Sequence, residues 1–190
     1  MSSIILKQLE HLDPFILDQL LQDFQPLFQH RSYTKGALIH QEGHICNHIF
    51  LIEKGIARAF YYKDGKDITA HFAAEQTSIT AIDSFIQRKQ SRYNIEALED
   101  TTAITISHQD IQTLLDNKPQ YERYVRLYLE QIYIDLAERI EDLLFHSAKE
   151  RYQKILSSNP SLLQRVNLGH LASYLGISQE TLSRVRAQFS

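Results

Sequence analysis

The chain of 190 residues has no tryptophan, one cysteine, one methionine, four prolines and six glycines. A single cysteine, Cys46, excludes an internal disulfide and agrees with a reducing compartment. Nowhere do eighteen apolar residues run uninterrupted, and Met1 to Leu12 lacks a basic head followed by an apolar run. Neither a membrane span nor a secretory leader is expected, and the protein is read as cytoplasmic with no membrane partner. Internal repeats, low-complexity tracts, a P-loop, a dinucleotide fingerprint and a nucleophile–base constellation are also missing, so no enzymatic activity is expected. What is present is an apolar content of 43%. That is enough for a buried core in one ordinary domain plus a smaller second one, and it excludes a disordered or fibrous chain.

The net charge of -3 conceals an asymmetry. Residues 1–147 carry 14 Lys+Arg against 21 Asp+Glu, a balance of -7, whereas residues 148–190 carry 6 against 2, a balance of +4. A small basic module on a larger acidic one is the pattern of a protein in which only the module approaches phosphate.

Residues 4 to 24 place Ile5, Leu9, Leu12, Ile16, Leu20 and Leu21 at helical spacing, and Asp13-Pro14 suits an N-cap and first helical position, predicting two short helices. From Tyr33 to Ile106 the period changes to short runs of Ile, Phe, Tyr and Thr broken by Gly36, Glu42-Gly43, Lys54-Gly55 and Asp64-Gly65. Turns about every ten residues predict an antiparallel sandwich or barrel. Asp64-Gly65 between Ala59–Tyr62 and Ile68–Phe72 is a hairpin signal, and further strands are expected at Tyr93–Leu98 and Ala103–Ile106. Thr77 to Ser91 breaks the pattern and is expected to hold a short helical turn and a loop. Ser107 caps a helix to about Asp116, and Asn117-Lys118-Pro119 opens a long helix to about Ser147. Within it Val125, Leu129, Ile132, Leu136, Ile140 and Leu143 recur at steps of 4, 3, 4, 4 and 3, close to a coiled-coil seam. Tyr121, Tyr124 and Tyr128 offer a second face for the chain's own core, so the stripe predicts a homodimer. Short helices follow at 148–156 and 161–165.

Leu168 to Phe189 is the most specific segment. Leu168, Leu171, Ala172 and Leu175 form an apolar face, Gly176 permits a sharp turn, Ile177 plugs the angle and Ser178 caps a new helix. That helix turns Leu182 and Val185 inward and leaves Gln179, Glu180, Thr181, Ser183, Arg184 and Arg186 outward. The pattern is a helix-turn-helix, whose second helix enters the major groove of double-stranded DNA. Arg184 suits guanine O6 and N7, Glu180 suits cytosine N4 and Gln179 suits adenine. The hydroxyls of Ser178, Thr181 and Ser183 suit phosphate.

These residues give the chain a resemblance to the Crp/Fnr transcription regulators. It is carried by Ile39-x-x-Glu42-Gly43, by Ile49-Phe50-Leu51-Ile52-x-x-Gly55, by the strand from Tyr93 to Asp100, and by Leu171 to Arg184. The resemblance implies an α+β chain: an antiparallel jelly-roll barrel of the double-stranded β-helix type, a long dimerisation helix and a C-terminal helix-turn-helix. The implied domains are a cyclic-nucleotide-binding-like sensor at 1–116, a dimer helix at 117–147 and a DNA-binding domain at 148–190. It further implies a homodimer on operator or promoter DNA, base contacts from Gln179, Glu180 and Arg184, a small-molecule effector of unknown identity, and RNA polymerase as a further partner.

Two departures qualify the match. The family's cyclic AMP binders carry Gly-Glu-Leu and then Arg-Ser/Thr-Ala, whereas the corresponding segments here are Thr80-Ala81-Ile82 and Ser91-Arg92-Tyr93. The carboxylate is missing and the arginine is displaced by one position, which in a strand turns it to the other face. Cyclic AMP is not the expected effector, although Thr80, Ser91 and Arg92 could hold another anion. The chain also ends directly after the second helix, so no β-wing is expected. His40, His44 and His48, with Glu42 and Cys46, do not have the spacing of a metal site on strands, so neither metal nor cofactor is expected. Two other classes stay open: a sensor acting through protein contacts, and a metal-dependent, cupin-like β-barrel enzyme.

Overall fold

The short apolar runs between Tyr33 and Ile106 belong to eight antiparallel strands: β1 (Gln29–Tyr33), β2 (Leu38–His40), β3 (His48–Lys54), β4 (Ala57–Lys63), β5 (Lys66–Ala73), β6 (Ser78–Ile79), β7 (Asn94–Ala97) and β8 (Thr101–Ser107). The computed structural model describes residues 14–189. Two four-stranded sheets form, with strand orders β1-β8-β3-β6 and β2-β7-β4-β5, the jelly-roll arrangement of two facing sheets. Among the described residues the sheets are not hydrogen-bonded into one closed ring. Register places Gln29 opposite Thr105 and Tyr33 opposite Thr101 on one side of β8, and Phe50 opposite the same Thr105 on the other.

Alternation along the strands builds the core. Phe50, Ile52, Ile79 and Ile95 are buried together with Cys46, Ala57, Ala59, Ala73, Ala81 and Ala103, and Tyr33, Ile39 and Tyr93 pack against them. Each large apolar side chain so buried stabilises the fold by about 1.5–3 kcal/mol. Because Ala57 and Ala59 face this core, Arg58 between them turns to the opposite face of its sheet. There its Nε donates to Glu96 Oε1 at 2.6 Å and its guanidinium lies 4.0 Å over the Phe60 ring. Burial of that pair was not legible from composition.

Two turns hold β4 in register. Asp64 and Gly65 both have positive φ, 53° and 71°, the conformation of the tight primed turns that match strand twist. At the other end Gly55 has φ +102°, and a Cβ there would lie 2.5 Å from Thr101 Oγ1 and 2.8 Å from the carbonyl oxygen of Asp100. Its N–H donates to Glu75 Oε1 at 2.8 Å.

The helices are α1 (Pro14–Phe24), α2 (Ile82–Gln87), α3 (His108–Asn117), α4 (Glu122–Phe145), α5 (Ala148–Ser158), α6 (Leu162–Arg165), α7 (Leu168–Leu175) and α8 (Gln179–Arg186), with 3-10 turns at Gln25–Leu27 and Pro119–Tyr121. The expected helix ahead of Pro14, and Asp13 as its neighbour's cap, lie outside the described residues. Ser107 caps α3, its Oγ accepting from Asp110 N at 3.0 Å. The long helix opens one turn later than Pro119 predicts, because Pro119–Tyr121 is wound as a 3-10 turn. Tyr121 anchors that turn: it is buried and its hydroxyl donates to the Asp23 carboxylate. Hydrogen bonds from Lys118 and then Tyr121 hold the Asp23 carboxyl below its ordinary range. Burial, with Asp23 beside it, pushes the Tyr121 hydroxyl up to about 12.

The chain groups into two units, one of residues up to 61 with 71–126, the other of residues 62–70 with 127 onward. The first holds the body of both sheets. The second holds the tip of the β4–β5 hairpin, most of α4 and all the following helices.

Candidate nucleic-acid interface and sandwich interior

The C-terminal helices are built on a small apolar core inside the second unit. Tyr152 and Ile155 of α5, Leu162 and Leu163 of α6 with its C-cap Val166, Leu171, Ala172 and Leu175 of α7, and Leu182 and Val185 of α8 are all buried. Helix boundaries within it follow local chemistry. Ser147 caps α5 in a full capping box with Glu150, two orphan N–H groups being satisfied reciprocally. Asn167 caps α7, accepting from His170 N at 2.8 Å.

The turn between α7 and α8 is a Schellman motif. Gly176, at φ +67°, donates to the carbonyl of Ser173, and Ile177 donates to that of Ala172, both at 3.0 Å. The left-handed residue lets the chain reverse while the last carbonyls of α7 keep partners. Ser178 then opens α8, its Oγ accepting from Thr181 N at 3.2 Å. Leu182 and Val185 point inward, so the 100° step per residue sends the remaining positions out. Ser178, Gln179, Glu180, Ser183, Arg184 and Arg186 are exposed and Thr181 is half-buried. Arg184 Nη2 lies 3.5 Å from Thr181 Oγ1, one turn back, so its guanidinium leans toward the N-terminal end of the helix. Gln179 lies against α7 where Gly169 leaves room, its Nε2 being 3.1 Å from where a Cβ on Gly169 would sit.

The end of α4 is locked to these C-terminal helices by contacts that the sequence did not announce. Asp142 accepts from Lys154 Nζ at 3.0 Å and pairs with His146 Nδ1 at 2.9 Å, while Lys154 also reaches Glu138 at 3.3 Å. Arg151 donates to the carbonyls of His146 and Asp142, at 2.7 and 3.3 Å, which closes the exposed C-terminus of α4. Burial by itself raises the Asp142 carboxyl, but the bonds from Lys154 and His146 outweigh it and leave the group below its ordinary range. The Asp142 bond, opposed by burial and aided by Glu138, raises Lys154. Only Asp142–His146, four residues apart on one helix, had a spacing that could have been read beforehand.

Helix α4 itself has no buried residue over its 24 positions. Along the expected seam Leu129, Leu136, Ile140 and Leu143 are exposed, Leu136 and Ile140 by 51% and 58%, and Val125 and Ile132 are half-buried. A second apolar row, Leu127, Ile134 and Phe145, is exposed on a roughly opposite face. It escaped the sequence reading because its members stand 7 and 11 residues apart, with polar residues between them.

The three residues suggested for an effector each have their own partners in the sandwich. Thr80 Oγ1 donates to the carbonyl of His48 at 2.9 Å and lies 3.3 Å from Cys46 Sγ. Ser91 is buried and its hydroxyl serves the backbone of Tyr93. Arg92 is exposed, 4.0 Å from Asp83. The loop is instead gathered by Arg88, at φ 57°, whose guanidinium donates to the carbonyls of Cys46 and Phe85 and to Asn47 Oδ1. His40 and His48 are half-buried, and burial, with His44 beside the first and Arg31 beside the second, lowers the pKa of both rings. Among the described residues no group of three or more His, Cys, Asp or Glu side chains converges as a metal site. No described helix is long and apolar enough to cross a membrane.

Residues 30–118 match the family model of the cyclic nucleotide-binding domain. Solved structures with the same fold include FixK2 from Bradyrhizobium japonicum, 18% identical, covering 85% of this chain and 83% of its own, with a TM-score of 0.73. The c-di-GMP-responsive global regulator CLP of Xanthomonas campestris is 17% identical, covering 90% of this chain and 91% of its own, with a TM-score of 0.69. A protein from Eubacterium rectale described as a transcriptional regulator of the Crp/Fnr family is 20% identical, covering 95% of this chain and 84% of its own, also at 0.69. No curated protein sequence matches the chain.

Proposed function

From a chain that carries a cyclic nucleotide-binding domain at residues 30–118 and has the fold of the Crp/Fnr transcription regulators, we propose a homodimeric, sequence-specific DNA-binding regulator. The observation that carries this reading is the division of α8. Its apolar side is buried at Leu182 and Val185, and Gln179, Glu180, Ser183, Arg184 and Arg186 present donors and acceptors to solvent. A polar helix held by a Schellman turn and a serine cap, in the only basic stretch, suits the major groove. Ser178, Thr181 and Ser183 serve phosphate, and Gln179, Glu180 and Arg184 serve base edges. Functionally, 1–116 is the sensor, 117–147 the dimer helix and 148–190 the DNA-binding part.

Dimerisation is supported by α4, a helix of about 36 Å at 1.5 Å per residue whose seam is uncovered in one chain. Two such helices side by side set their reading heads for half-sites about 34 Å apart. Cyclic AMP is not the effector we propose: the resemblance puts Ala81 where the family's cyclic AMP binders carry a carboxylate, and the Ser91 hydroxyl bonds the backbone of Tyr93. The test is a gel-shift and footprint with the DNA upstream of the protein's own coding region, begun at low salt where phosphate contacts are strongest. A symmetric footprint with two half-sites is expected. No shift at low salt defeats the reading.

A further inference from the structure

We propose that Ser173 is a positioning residue that registers the reading head on the β4–β5 hairpin through a single hydroxyl, a role that rests on the DNA-binding reading above. Within the second unit the Ser173 Oγ accepts from Thr69 N at 3.0 Å and donates to the carbonyl oxygen of Asp67 at 3.2 Å. In a strand, residues two apart point their N–H and C=O groups to the same side. One hydroxyl therefore spans two consecutive outward groups of β5, donating to one and accepting from the other. Strand β5 ends its sheet order, so this is the edge where ladder partners stop and backbone groups need other company. Thr69 is only 2% exposed, so its amide has little access to water in place of Ser173.

The position of the serine gives the contact a consequence. Ser173 lies on α7, one helical turn from Gly169, against which Gln179 of the reading helix rests, and its own carbonyl accepts from Gly176 in the turn. A shift of β5 along its axis is therefore passed to α7 and to the turn that aims α8. The hairpin strands run without a break into the first unit, at Ala57–Tyr61 and His71–Ala73. The clip gives a covalently continuous strand a direct hold on the helix that reads DNA. With the clip made, the outer face of α8 is exposed, so the clipped head is competent. A head released from the clip samples other orientations, and its apparent affinity falls with the competent fraction.

The test uses the full-length protein with Ser173→Ala and Ser173→Thr. Hydrogen exchange at the Thr69 amide is followed by NMR, alongside affinity for the wild-type footprint duplex and for a scrambled duplex. In Ser173→Ala the Thr69 amide is expected to exchange about tenfold faster or more. Affinity for the footprint duplex is expected to fall about three- to tenfold with scrambled-duplex affinity unchanged. Ser173→Thr, which keeps the hydroxyl, is expected to restore both. Unchanged Thr69 exchange in Ser173→Ala overturns the clip, and faster exchange with undiminished or increased duplex affinity overturns its positioning role. A wild-type protein that binds no duplex defeats the regulator reading and the positioning role with it, while the exchange data still decide whether the clip exists.

Discussion

The guanidinium of Arg139 lies 3.9 Å over the ring of Tyr174 and also donates to the carbonyl oxygen of the same residue. One side chain of α4 thus grips both the ring and the backbone of α7 just before its glycine turn. Burial lowers the Arg139 pKa from its ordinary value, yet an arginine stays charged throughout the working range. Arg139→Ala removes the ring contact and the bond to a C-terminal helix carbonyl, and is expected to cost about 1–2 kcal/mol. Arg139→Lys keeps the charge but not the flat stacking surface and is expected to recover only part of this. Urea unfolding followed by circular dichroism measures both; equal midpoints for wild type and Arg139→Ala would show that the grip does not contribute.

Acid should weaken the same region. The Asp142 carboxyl lies below its ordinary range in the fold, so its contribution is present above the unfolded value and is lost as the pH falls through the folded one. Its partner Lys154 lies above its ordinary range, so that half of the pair persists until the pH rises through the raised value. Asp142→Asn is expected to lower stability at neutral pH by about 1–2 kcal/mol and to flatten the acid limb. Unfolding midpoints between pH 6 and pH 2 test this, and an acid limb unchanged in the variant counts against Asp142 as its source.

Arg184→Ala is expected to cost about 1–3 kcal/mol in binding to the footprinted site and to relax sequence preference at one position per half-site. Binding to scrambled DNA should change much less, since a base-edge contact adds little to phosphate attraction. Titrations against both duplexes separate the two contributions. A uniform loss on both would move Arg184 from bases to phosphate.

Ile140→Asp is expected to convert the proposed homodimer to a monomer. Ile140 sits at the seam and is 58% exposed in one chain; in a paired seam it would be covered, and a carboxylate there would be desolvated twice per dimer. A rise in the dimer dissociation constant of at least about a hundredfold is expected. Sedimentation velocity measures it, and an unaltered dimer would shift the interface to the face of Leu127, Ile134 and Phe145.

Different physical causes separate what could be read in advance from what could not. Periodicity and turns are local, so the hairpin at Asp64-Gly65, the Ser107 cap and the turn at Gly176 were legible residue by residue. The stripe from Val125 to Leu143 was legible because a helix repeats every 3.6 residues. Contacts across long separations were not. Ser173 with Thr69 is a match over 104 residues, and Arg139 with Tyr174 over 35; no spacing rule links such pairs. Arg58 between two alanines reads as a surface position, and only packing makes it a buried partner of Glu96. Thr80, Ser91 and Arg92 were grouped through the family's phosphate-binding segments, and each has found a separate partner.

Seen as a mutational landscape, the turns at Gly55 and Gly176, both with positive φ, differ in what they admit. At position 55 a Cβ would collide with the Thr101 side chain and with backbone at Asp100 and Thr101, between 2.5 and 2.8 Å away. Backbone there cannot step aside without opening β8, so a saturation library at position 55 should return glycine alone. At position 176 the Cβ would meet only the far end of Leu143, at 3.2 Å. A flexible methyl group can yield by a few tenths of an ångström, so Gly176→Asn, which tolerates the left-handed backbone, should survive selection. The sandwich therefore holds its turn as a fixed point, whereas the turn between α7 and α8 keeps some freedom to drift.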